Sequence, residues 1–346
     1  MKTRPLKNYS ASIGCEVYDI DLTNNEEILE LGKIFSENCI VFVNKKIDTA
    51  KLDEVMSCWG QASRALVHSW VIEKRLTGRH WRDLYVSVGR TGGQELNQAS
   101  KAVSTISYKM DTRNKPVGMF TNGELDWHSD QCAFDDAPRV IGLQSISDTV
   151  NSQTQFLCTH DAYERLSSDM QSMVKELVCK HKWFPNVMAP ALNDMQTMIL
   201  QYNMCPIDGM ETNLYSESVV GLSGIKFPSH TFNGFVGMSI QESKKVLEEL
   251  TKEVYQDKYV YTQDWQDGQI VFMDQEITLH KRPTNIEHGN KRTMARVITY
   301  LDKLYPEVKL SNTVKLNGKI YTHDEFLALV DQDRKIKFEM EALVDA

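Results

Sequence analysis

Five short β-type runs flank a helical middle, and this order constrains the fold more than any other feature of the chain. Cys39-Ile-Val-Phe-Val43, Val140-Ile-Gly-Leu-Gln-Ser-Ile146 and Gln153-Thr-Gln-Phe-Leu-Cys158 precede that middle; Gln269-Ile-Val-Phe-Met273 and Met294-Ala-Arg-Val-Ile-Thr-Tyr-Leu301 follow it. Regular alternation of strand and helix would read as a parallel, doubly wound sheet. Its absence favours a mainly β core with flanking helices, an α+β arrangement. The chain of 346 residues is expected to form one domain, since large β-rich enzymes routinely exceed the usual domain length as a single unit.

Helical spacing appears at Ile28, Leu31, Ile34 and Phe35, and again at Leu52, Val55 and Met56 after a cap at Asp48. Ser168 and Gln171 have the spacing of a capping box before Met170, Val174, Leu177 and Val178. Ser239 and Glu242 repeat that spacing before Val246, Leu247, Leu250 and Val254. Residues 69–120 show no sustained period and read as a long loop or lid, a length that in a compact domain usually serves function. A C-terminal extension over 310–346 reads as a hairpin turning at Asn317-Gly318, then a helix capped by Thr322 and Glu325.

A net charge of −8 opposes a phosphate backbone, and no basic stripe interleaved with aromatics overrides it, so nucleic acid is not expected as a partner. No apolar run approaches the length of a membrane span, and the opening residues lack an apolar signal core. A cytoplasmic protein with no membrane partner is the expectation. Seven scattered cysteines without a C-x-x-C pair read as reduced and structural. Cys132 differs only in lying two residues beyond Asp130.

His128 and Asp130 sit in Trp127-His-Ser-Asp130, and residues i and i+2 of a strand or its exit share a face. His280 follows the 269–273 run by a short turn containing Asp274, which could fix a ring or a loop. Two imidazoles and one carboxylate on one face of a metal make the facial triad of non-haem Fe(II) oxygenases, leaving the opposite face open. Arg292 and Arg296 share one face of the last strand, where two cations would be costly to bury without anions. They therefore point to an anionic ligand such as 2-oxoglutarate. The same triad loaded with another metal could support hydrolysis, and a protein that only binds metal and 2-oxoglutarate would carry the same residues.

These pieces resemble the Fe(II)/2-oxoglutarate-dependent oxygenases of the taurine dioxygenase and 2,4-dichlorophenoxyacetate dioxygenase family. The similarity is carried by Trp127-His-Ser-Asp130, Thr154 before Asp161-Ala-Tyr-Glu-Arg-Leu-Ser167, Trp265 through Asp274 to His280, and Lys291-Arg-Thr-Met-Ala-Arg296. It extends back through Cys39-Ile-Val-Phe-Val43 to Ile13-Gly-Cys.

The resemblance implies a double-stranded β-helix, a cupin-like jelly roll, with iron held by His128, Asp130 and His280. It implies that Thr154 and Arg292 bind the distal carboxylate of 2-oxoglutarate, and that Arg296 lies near its keto-acid end or near an anionic group of the prime substrate. The implied reaction consumes O2 and 2-oxoglutarate, releases succinate and CO2, and hydroxylates an unactivated C–H of a small anionic or zwitterionic metabolite, amino-acid-like or sulfonate-like. Family members commonly self-associate, so a homo-oligomer is compatible with the chain.

Departures concern the substrate. The 69–120 segment is longer than in the taurine enzyme, and only His68 falls near that enzyme's sulfonate-binding histidine. Glu124 stands where that enzyme has a neutral amide, which hints at a cationic group on the substrate. Related halogenases carry a small residue in place of Asp130, so its carboxylate argues for hydroxylation. Desaturation and ring closure begin with the same hydrogen abstraction and stay open.

Overall fold

The computed structural model describes residues 1–63, 103–107, 109, 125–130, 132–133, 137–182, 209–228, 231–283, 292–311, 313–316, 318–322, 324–326, 328–329 and 332. Most of the 69–120 segment lies outside these residues, as do His68 and Glu124.

Two antiparallel-rich sheets face each other as a jelly roll. The larger comprises β1 (Lys2–Pro5), β2 (Cys15–Tyr18), β3 (Ile40–Asn44), β4 (Ser104–Ser107), β6 (Arg139–Ser147), β14 (Gln269–Asp274) and β16 (Thr293–Tyr300). Their spatial order is β1-β2-β3-β14-β6-β16-β4. The smaller sheet has the order β13-β7-β15-β5, built from β5 (Leu125–His128), β7 (Gln153–Cys158), β13 (Val260–Asp264) and β15 (Thr278–Arg282). Only β2 and β3 pair in parallel among the described ladders.

Alternation along the strands explains why the layers stack. In β14, Val271 and Met273 face the smaller sheet, while Ile270 and Phe272 face the helices on the other side. The inter-sheet core thus joins Phe42, Ile141, Leu143, Met273, Met294 and Ile298 of the larger sheet to Phe156 and Cys158 of the smaller. Each such fully buried side chain contributes on the order of 1.5–3 kcal/mol.

Helices α1 (Asn25–Asn38) and α2 (Thr49–Trp59) cover the outer face of the larger sheet. Their caps are Asn24, whose side chain accepts from Glu26 N, and Asp48, which accepts from Lys51 N at 2.7 Å. Gly142 lets α2 lie close on β6, because a Cβ there would meet Met56 Sδ at 2.3 Å.

Beyond the smaller sheet, α3 (His160–Arg165), α4 (Ser168–Glu176) and α5 (Ile240–Val254) pack with β8 (Val178–His181), β9 (Met210–Asn213) and β12 (Phe232–Phe235) on Leu157 and Leu279. Two hairpins complete the described chain, β10 (Tyr215–Glu217) with β11 (Ser223–Ile225) and β17 (Thr313–Leu316) with β18 (Lys319–Thr322). The second is tied to β9 through Lys315 Nζ and Glu211 Oε2, 3.7 Å apart.

Two local expectations are corrected. A strand, β4, interrupts the segment expected to be loop throughout. Its single large apolar residue, Ile106, sets no visible period, and pairing with β16 supplies the order instead. The cap of α4 is Ser167, whose hydroxyl accepts from Met170 N, and no capping box forms from Ser168. Gln171 instead sends its amide to Tyr163 O at 3.0 Å. The box at Ser239 and Glu242 is present at the start of α5.

Candidate metal centre

Strand register brings the two histidines together from distant parts of the sequence. In the smaller sheet His280 pairs directly with His128, and their ring centroids lie 4.1 Å apart. Asp130 follows in the turn after β5, with Oδ1 3.6 Å from His128 Nε2. One ligand atom from each of the three side chains falls within 4.8 Å of the others.

Protonation favours a cation at this point. His128 Nδ1 lies 2.6 Å from Asp126 O, so in the neutral ring that nitrogen carries the proton and Nε2 offers its lone pair. Burial pushes His280 down to about 3, aided by His128 and Arg296 and opposed by Asp130, which leaves the ring neutral at ordinary pH. For Asp130 burial acts upward, but Arg296 and the two histidines outweigh it and hold the carboxyl well below the usual range. Neutral imidazoles and an ionised carboxylate are the forms that bind metal. His280 Nδ1 is buried without a hydrogen-bond partner among the described residues, an orphan that a metal ion or an ordered water would satisfy. The donor set fits Fe(II).

The second carboxylate oxygen has another partner. Arg296 Nη1 donates to Asp130 Oδ2, and Arg296 Nε donates to Ser104 Oγ at 3.3 Å. Arg296 thus grips the carboxylate of the triad, where the sequence suggested a co-substrate or substrate contact. The geometry divides the oxygens of Asp130, Oδ2 to the guanidinium and Oδ1 toward the imidazoles.

A small cleft opens between the sheets here, lined by His128, Asp130 and His280 together with Thr154, Arg292 and Arg296. Its remaining walls include Ile106, Leu125, Ile141, Leu143, Met273 and Met294. Apolar walls with a few convergent polar groups are the usual makeup of a small-molecule site. Thr154 Oγ1 accepts from the Trp265 indole at 2.9 Å. Because the indole is only a donor, the Thr154 hydroxyl keeps its own proton available to donate.

Arg282 lines the same cleft and was not singled out by sequence reasoning. Its signal was the i+2 spacing from His280, which places both on the inner face of β15. Gln275, buried in the β14–β15 turn, was missed as well; its amide oxygen accepts from Asp130 N at 2.8 Å. Asp274 fixes that turn, with Oδ1 accepting from Glu276 N at 2.7 Å and Ile277 N at 2.9 Å. Burial, with Glu276 next to it, pushes the Asp274 carboxyl up to about 7. Trp127 faces away from the cleft and stacks on Tyr255. Cys132 is buried, its Sγ 3.6 Å from Thr231 Oγ1.

Comparison with known proteins gives a consistent picture. The family described as "Taurine catabolism dioxygenase TauD, TfdA family" matches residues 2–298. A taurine dioxygenase from Burkholderia xenovorans superposes with a TM-score of 0.59 at 18% identity, over 92% of this chain and 94% of that one. AAD-2, solved in complex with Mn(II) and N-oxalylglycine, gives 0.60 at 16% identity, over 86% and 97%. Pentalenolactone F synthase of Streptomyces avermitilis is 21% identical over 211 residues, 57% of this chain and 68% of that protein. At these identities the structural likeness speaks for the fold.

Proposed function

Since the chain belongs to the TauD/TfdA family and is an Fe(II)- and 2-oxoglutarate-dependent dioxygenase, we propose that it hydroxylates an unactivated C–H of a small anionic or zwitterionic metabolite in the cleft around His128, Asp130 and His280. Fe(II), 2-oxoglutarate and O2 are its cofactor and co-substrates. The metallohydrolase and pure binding readings of the triad give way to this chemistry.

The observation that carries the site assignment is that three metal-type donors and two co-substrate-type residues, Thr154 and Arg292, line one cleft. In this reading His128, Asp130 and His280 hold the iron and leave its other positions for ligands. Bound iron supplies the oxidising power when 2-oxoglutarate is decarboxylated by O2. Thr154 and Arg292 orient the far carboxylate of 2-oxoglutarate; a guanidinium suits that task because it donates in a planar fork. Arg296 keeps Asp130 ionised and correctly turned. The apolar walls exclude water from the reacting carbon.

The charge of the cleft supports the substrate class. Among its described lining residues are three guanidinium groups and one carboxylate. Their positive charge beside a divalent metal is complementary to an anionic ligand, which supports a carboxylate- or sulfonate-bearing metabolite. The carboxylate at 130 favours hydroxylation over halogenation, since no position is vacated for a halide.

A single-turnover assay tests this. The Fe(II)-loaded protein with 2-oxoglutarate and O2 should form succinate, faster in the presence of an anionic substrate than of its neutral ester or amide. Asp130→Ala should abolish succinate. Succinate formation undiminished in Asp130→Ala would remove the assigned site, and preference for neutral analogues would remove the substrate class.

A further inference from the structure

We propose that Gln275 is the positioning residue of the metal centre, tying the turn that delivers His280 to the segment that carries Asp130. The inference rests on the reading that His128, Asp130 and His280 hold the metal. Backbone pairing accounts for only two of those three. His128 and His280 are opposite each other in the β5–β15 ladder, so sheet register alone sets their separation. Asp130 lies beyond the end of β5, where no ladder bond reaches it.

The Gln275 side chain supplies the missing rung. Its Oε1 accepts from Asp130 N at 2.8 Å and from Ser129 Oγ at 3.1 Å, and its backbone carbonyl accepts from the same Ser129 hydroxyl at 2.8 Å. Its Nε2 donates to Asp274 O at 3.3 Å, which keeps the amide oriented. Gln275 is 1% exposed, so bulk water does not compete for these bonds. Asp130 is thereby fixed at both ends, its backbone by Gln275 and its carboxylate by Arg296. A metal site needs its ligands held within roughly 0.5 Å of the productive geometry, which the side chains around the ligands must provide. Loss of such outer contacts typically costs roughly 10- to 100-fold in metal affinity.

Chain length makes the idea specific. Asparagine is one methylene shorter and cannot span from the turn to Asp130 N. Glutamate keeps the acceptor for Asp130 N and Ser129 Oγ but sets an oxygen in place of Nε2 against Asp274 O and adds a buried charge, so it rescues in part.

The test is anaerobic titration of the full-length protein with Co(II), reading affinity and the visible d–d spectrum, alongside melting of the metal-free protein. Gln275→Leu and Gln275→Asn should each weaken Co(II) binding roughly 10- to 100-fold and alter the spectrum. Gln275→Glu, which keeps the acceptor for Asp130 N, should bind Co(II) more tightly than either of them. A role in folding alone would lower the melting temperature while leaving affinity and spectrum of the folded protein unchanged, and that result would overturn the proposal. Should Gln275→Leu fail to fold, Gln275→Asn decides. Wild-type binding that is lost in His280→Ala but retained in Gln275→Asn defeats this inference and leaves the metal-centre reading standing. Wild-type protein that does not bind Co(II) at this site defeats both.

Discussion

Replacing Thr154 by valine keeps the shape of the side chain and removes one hydroxyl, whose place in the structure lets the effects on binding and stability be separated. That hydroxyl accepts from the Trp265 indole at 2.9 Å, and both residues are buried. The hydroxyl keeps its own proton to donate, and Thr154 lines the same cleft as Arg292, so in the proposed reading that O–H reaches the 2-oxoglutarate carboxylate. A hydrogen bond to a carboxylate contributes about 1.5–3 kcal/mol, which corresponds to a roughly 10- to 150-fold rise in the Kd for 2-oxoglutarate. The stranded indole N–H costs a further ~1–3 kcal/mol of folding stability. Trp265→Phe leaves the hydroxyl but frees its rotor, so it should raise the Kd by only about 1 kcal/mol, or roughly fivefold. Titration of the Fe(II)-loaded protein with 2-oxoglutarate under anaerobic conditions measures the first quantity, and denaturant unfolding the second. If Thr154→Val lowers stability as expected but binds 2-oxoglutarate as the wild type does, the hydroxyl belongs to the packing of Trp265 alone and the oriented-donor argument is wrong.

Three further outcomes follow from the same geometry. Because Asp130 is held below the usual carboxyl range and His280 is pushed down to about 3, neither takes up a proton between pH 5 and 7; at most one of the three ligands then competes with a proton, and the logarithm of metal affinity should change by no more than one per pH unit, where a steeper dependence would contradict the assigned protonation states. Asp274 is raised to about 7 in the fold, so the folded state binds its proton more tightly than the unfolded chain; its contribution to stability is present below the ordinary carboxyl pKa and is lost as pH rises through 7. Asp274→Asn, which retains the acceptor for Glu276 N and Ile277 N, should flatten the decline seen in denaturant unfolding between about pH 4 and 7, and an unchanged slope would count against it. Arg282→Gln should raise the Kd for 2-oxoglutarate or the KM for the prime substrate about tenfold or more, as expected for removing one member of a buried charge contact; two unchanged constants would mean that Arg282 only shapes the wall.

The parts of the site legible in the sequence were those set by short spacings at strand ends. His128 with Asp130, and Arg292 with Arg296, could be paired by their i, i+2 and i, i+4 spacing, although Asp130 lies just past β5 and Arg292 just before β16, and the cleft contains all four. The β-rich core with a helical middle was readable for the same reason, since runs such as Gln269–Met273 bury both faces between a sheet and a helical layer. Contacts made across the fold left no local trace. Gln275 meets Asp130 at a separation of 145 residues, and Arg296 meets it at 166; neither partner could be chosen without the register of two sheets. Strand β4 escaped notice because Ser104, Thr105 and Ser107 carry no apolar stripe, and its order comes from β16. Arg282 is not distinguished by its spacing alone, because a basic residue two positions after a strand histidine reads as a surface charge until the sheets turn that face inward.

The most direct test of the central claim is the visible charge-transfer band of a chelated keto acid, sought by adding 2-oxoglutarate to the Fe(II)-loaded protein without O2. The assigned triad and arginine predict that the band appears in wild type, vanishes in His128→Ala and His280→Ala, and requires more 2-oxoglutarate in Arg292→Gln. Folded protein that binds iron through these residues yet shows no band at saturating 2-oxoglutarate would contradict the account.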